Sequence, residues 1–109
     1  MQEALAQLEA TYLTLQQQIN MLGVACQSQD QRDSLSTQYV QARQNYWACV
    51  NKAFHDDDPQ VVNLTNALTA ANQQLTRAAK EMGDIAAALN NITKVVTLGS
   101  QLAAKVIIA

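Results

Sequence analysis

His55-Asp56-Asp57-Asp58-Pro59 is the stretch on which the reading of this chain turns. Asp58 can cap a following helix by accepting backbone N–H bonds, and Pro59 suits a first helical position, where its missing N–H costs nothing. Lys52 and His55 place positive charge in the last turn of a preceding helix, where the helix dipole favours it. The segment therefore reads as the end of one helix and the start of the next.

Working outward toward the C-terminus, apolar or small residues recur in steps of three and four. They run Val61, Leu64, Leu68, Ala71, Leu75, Ala78, Met82, Ile85, Leu89, Ile92, Val96, Gly99, Ala103 and Val106, a seam of about seven heptads. Toward the N-terminus the same spacing appears at Leu5, Leu8, Tyr12, Leu15, Ile19, Leu22 and Cys26. Counting on through the polar stretch 27–34 keeps the phase and lands on Val40, Arg43, Trp47, Val50 and Phe54. A second stripe, Leu35, Tyr39, Ala42, Tyr46, Cys49 and Ala53, widens the apolar arc of this half.

These spacings predict an all-α fold, a long antiparallel two-helix hairpin of coiled-coil type. Helix 1 would span about residues 2–55, the turn 56–58 and helix 2 about 59–107, all within a single domain over 1–109. Folding at the turn sets Trp47 against Leu68, Val40 against Leu75, Tyr12 against Ala103 and Leu15 against Gly99, large residues facing small ones at the last two pairs. Charge fits the same register, bringing Glu3 and Glu9 near Lys105, and Arg32 near Glu81 and Asp84. A competing topology breaks the first helix near residues 27–34, capped by Asp33 or Ser34, and gives three helices with a last one of about 50 residues. Either version leaves apolar surface uncovered, so the chain is expected to dimerise into a four-helix bundle.

Composition narrows the function classes. Charged residues are 15% of the chain and the net charge is −2, with no Lys/Arg cluster, which argues against binding nucleic acid through its phosphates. Residues 1–10 carry Glu3 and Glu9 and lack a basic region followed by an apolar run, so no signal peptide is visible and a cytoplasmic location is expected, with signal-independent secretion left open. Cys26 and Cys49 would lie about 35 Å apart on one continuous helix, too far for a disulfide, and both are read as buried thiols.

No paired nucleophile and base, phosphate loop or Cys-x-x-Cys motif occurs, so neither catalysis nor a cofactor is expected. His55 with Asp56 to Asp58 has metal-ligand residue types, but neighbouring side chains in a tight turn diverge, and a solvated cap is the simpler reading. In length and shape the expected hairpin is similar to the small secreted helical hairpins that carry a Trp-x-Gly signature in the turn. Here Trp47-Ala48-Cys49 lacks the glycine and lies outside the turn, so no functional residue follows from that likeness.

Two groups remain as interaction candidates. Tyr39, Tyr46 and Trp47 gather scarce aromatics on neighbouring faces of one helix, with Trp47 expected in the core and the group able to contribute to an interface. In the tail, Val95, Leu98, Leu102, Val106 and Ile107 spread round more of the helix than one partner covers. The function expected is that of a non-catalytic helical interaction protein, acting by self-association or by binding a partner helix as a scaffold, adaptor, chaperone or secretion accessory. The alternative is a membrane-active protein, or a small component of a pore-forming system, that uses the apolar C-terminal segment.

Overall fold

Among the described residues four helices, each about 30 Å long at 1.5 Å per residue, replace the two that the seams predict. The structure, a computed structural model, describes residues 3–50, 52–54, 58–78 and 84–107. Helix α1 spans Glu3–Ala25 and α2 spans Gln29–Cys49. A two-residue strand β1, Ala53–Phe54, precedes α3, Pro59–Ala78, and α4, Ile85–Ala103, is followed by a second two-residue strand β2, Val106–Ile107. The chain is all-α in substance, and the strands only pair Ala53 with Ile107 and Phe54 with Val106.

The long first helix is broken at Cys26–Ser28. Ser28 is in extended conformation and its side chain accepts a hydrogen bond from Gln31 N at 3.1 Å. Gln31 reaches back in turn, its Oε1 accepting from Gln27 N at 2.6 Å. Ser28 to Gln31 has the sequence of a capping box, with the returning bond taken from Gln27 N, one residue ahead of the cap. It places the start of α2 ahead of Asp33 and Ser34, the caps read from sequence. The second long helix is broken as well: α3 ends at Ala78, and Asp84 caps α4 by accepting from Ala87 N at 3.2 Å. Seam residue Met82 lies outside the described residues.

At the turn that opened the reading, Asp58 does cap α3, its Oδ1 accepting from Gln60 N at 2.8 Å, and Pro59 is the first helical residue. His55, Asp56 and Asp57 lie outside the described residues. Lys52 falls beyond the end of α2 rather than in its last turn.

A continuous helix over residues 2–55 would be about 80 Å long at 1.5 Å per residue. The molecule measures 42 × 21 × 19 Å, so the long hairpin does not form. Instead α2 folds back along α1, and Tyr46 of α2 hydrogen-bonds Glu9 of α1. Helix α4 packs on α3, α2 and α1, while α3 also packs on α1. The start of α3 (Gln60, Asn63, Leu64) meets the end of α4 (Gln101, Ala104, Lys105), so these two are antiparallel. The start of α2 (Asp30, Gln31, Ser34) meets the start of α4 (Ala86, Leu89, Asn90), and Asn45 further along meets Ser100, so α2 and α4 run parallel. By the same directions α1 and α3 are parallel.

One apolar cluster fills the interior, with Leu15, Leu68 and Leu102 fully covered and Leu8, Leu22 and Ile92 nearly so. Two polar clamps cross it. Thr11 donates to Asn72 Oδ1 at 2.6 Å, and Asn72 Nδ2 donates to both the backbone and side-chain oxygens of Gln7 at 3.0 Å, tying α1 to α3. Asn45 Nδ2 donates to Ser100 Oγ at 3.1 Å, tying α2 to α4. A buried amide is satisfied in one register only, so these clamps fix how the parallel helices align. Gly99 permits a close approach nearby, since a methyl group there would stand 3.4 Å from both Leu8 Cδ2 and Asn45 Nδ2. Leu8, one heptad before the expected Leu15, therefore faces Gly99.

Candidate interaction surface

The break at Cys26–Ser28 resets the helical phase, and this decides which face of α2 looks outward. Leu35, Ala42 and Cys49 of the second stripe are buried, whereas Val40, Arg43 and Trp47, which carried the extrapolated seam, are exposed. Trp47 is 57% accessible and does not pack on Leu68 as core. The sequence reading continued a period through a stretch where the helix ends.

Around Trp47 the single Trp and all three Tyr of the chain form one cluster. Tyr46 meets Trp47 edge to face at a centroid distance of 5.5 Å. Tyr12, from α1, lies 5.9 Å from Tyr46 with the rings 21° apart, and 6.0 Å from Tyr39. These are separations at which aromatic pairs attract beyond their buried area. The row is pinned at its hydroxyls. Tyr46 donates to Glu9 Oε2 at 2.8 Å, and Tyr12 OH accepts from Gln16 Nε2 at 3.5 Å. The bond to the Glu9 carboxylate raises the Tyr46 pKa above the ordinary 10.0, with burial and the Glu9 charge adding to the effect.

Tyr39 and Tyr46 are thus half-buried supports, and Trp47 is the exposed end of the row. Tyr12 belongs to this surface and was read as a seam residue opposite Ala103. Counted from Ser28, Tyr12 lies 16 residues back, between Tyr39 at 11 and Tyr46 at 18 residues on, a placement visible only once the turn is set there. Arg43, one turn before Trp47, has no hydrogen-bond or ion-pair partner among the described residues.

The tail candidates go elsewhere. Val95 and Leu102 are buried, at 2% and 0% accessibility, and Leu98 is half-buried against the core. Val106 and Ile107 form β2 rather than a last helical turn, their backbones paired with Phe54 and Ala53. The wide apolar arc of α4 is met by three helices of its own chain, the covering that the sequence reading assigned to a second copy. No helix among the described residues is long and apolar enough to cross a membrane.

In place of the expected contact of Glu3 and Glu9 with Lys105, Lys105 donates to Gln60 Oε1 and Glu3 accepts from Gln7. Arg32 reaches the Cys26 carbonyl at 3.4 Å, and Glu81, one of its two expected partners, lies outside the described residues. Both cysteines are unpaired and buried, and burial pushes the Cys49 thiol pKa up. An open groove of about 470 Å³ lies between the start of α3 and the end of α4, and one of about 270 Å³ lies between the starts of α2 and α4. Neither groove touches the aromatic row. No protein-family model matches the chain, and no curated protein or solved structure shows significant similarity to it.

Proposed function

We propose that this chain is a non-catalytic helical interaction protein that binds a partner helix on the outer face of α2. The exposure of Trp47 on a pinned aromatic base carries the reading. Val40, Arg43 and Trp47 follow one another at helical spacing along that face, the arrangement in which one helix offers a ridge to another. Buried interface tryptophans commonly contribute about 2 kcal/mol or more to binding, and one held in place loses little side-chain freedom on docking. The Arg43 guanidinium, without a partner among the described residues, fits a carboxylate on the partner, so the partner is an amphipathic helix with an acidic residue beside its apolar stripe. Val95 and Leu102 of the C-terminal segment are buried in the core and so offer no comparable surface.

A photo-reactive residue at Val40 tests this in the cells that make the protein. A discrete adduct is expected, mapping to a helical segment with an acidic residue, lost in Trp47→Ala and kept in Trp47→Phe. No adduct, or one indifferent to Trp47→Ala, overturns the reading.

A further inference from the structure

A second surface stands apart from the aromatic row. No charged residue occurs between Ala10 and Gln29, nor between Pro59 and Thr76. These stretches make up most of α1 and α3, which pack side by side and are held in parallel register by the Thr11–Asn72–Gln7 clamp. One long side of the molecule is therefore almost free of formal charge, while Asp30, Arg32, Asp33 and Arg43 lie on α2 and Lys94 on α4. Leu13, Met21 and Val24 of α1, at 40%, 51% and 87% accessibility, and Val62 of α3, at 42%, are large exposed hydrophobics. Among the described residues only Val40 and Trp47 of α2 join them in that class. The exposed carboxamides of Gln17, Asn20, Asn66 and Gln73 belong to the same two helices.

We infer that the α1/α3 side is where two copies of this chain meet. A nucleic acid or a strongly charged protein finds no counter-charge there. A second copy does find its complement, because a carboxamide both donates and accepts, and under a two-fold axis the same patch meets itself. The size is sufficient: a side of a molecule measuring 42 × 21 × 19 Å offers about 800 Å², the share each partner contributes to a standard stable interface. This inference is independent of the Trp47 reading, and together they give a dimer with its two α2 faces left free for partners.

Sedimentation equilibrium of the full chain tests it. A dimer is expected, with a dissociation constant that changes less than about 3-fold between about 50 mM and about 1 M salt, since no charge is there to be screened. Gln17→Lys with Gln73→Lys, both at exposed helical positions, is expected to weaken the dimer at least about 10-fold by like-charge repulsion. Mixing this variant with Gln17→Glu/Gln73→Glu should restore a heterodimer, which a misfolded variant would not do. Trp47→Ala should leave the dimer intact. A monomer up to about 0.5 mM, a dimer indifferent to the Lys pair, or a dimer lost in Trp47→Ala but kept in the Lys pair would overturn the inference. Flotation with phosphatidylcholine vesicles in place of self-association would overturn it too.

Discussion

At the scale of single residues, the contact between Glu9 and Tyr46 links fold, chemistry and surface. The Tyr46 hydroxyl gives its hydrogen to the carboxylate at 2.8 Å and holds its proton above the usual tyrosine range. A group whose pKa is raised by folding stabilises the fold fully below its unfolded value and ceases to do so as pH climbs through the raised one. The contribution of this bond is therefore complete at neutral pH and fades only above 10.0. Glu9→Gln removes the charged acceptor, so in an alkaline titration followed by phenolate absorbance the Tyr46 step should move down toward 10.0. An unchanged curve would mean that another cause raises it. Nothing local in the sequence announces this pair, because 37 residues separate its members.

At the scale of elements, the capping residues decide where helices stop. Apolar periodicity alone favours continuing α1 into α2, since the spacing can be counted through the polar stretch. The Ser28 and Gln31 side chains satisfy backbone N–H groups that a continuous helix would bond internally, and so make the break locally self-consistent. Ser28→Ala should cost about 1 kcal/mol, read as a lower urea midpoint with unchanged slope. Loss of no more than about 0.3 kcal/mol would show that packing holds the turn without its cap. The signal stands in the sequence as Ser28-Gln29-Asp30-Gln31, ahead of the Asp33 or Ser34 cap on which the competing three-helix reading relied. Asp84 is the parallel case: an Asp after Gly83 is a start signal inside a seam that spacing alone carries through.

At the scale of the whole molecule, two reversals beyond the single one of a hairpin let one chain cover apolar faces that two long helices would leave to a second copy. Closing a short loop costs little entropy and does not depend on concentration, so the internal solution wins wherever turn residues allow it. X-ray scattering separates the outcomes. A monomeric sample, such as the Gln17→Lys/Gln73→Lys variant, should give a radius of gyration near 13.8 Å. A hairpin of two helices about 80 Å long would exceed about 20 Å and would contradict the four-helix arrangement. The helical class, the cap at Asp58 and Pro59, and most of the buried positions of α1, α3 and α4 can be read from residue order alone, because period and capping are local and need no partner. That α2 buries Leu35, Ala42 and Cys49, that α2 and α4 run parallel, and that Tyr12 completes the aromatic row emerge only when the helices pack. Each of these follows from the phase reset at Cys26–Ser28 and from side chains far apart in sequence. The same rotation that sends Leu35 inward turns Trp47 out to solvent.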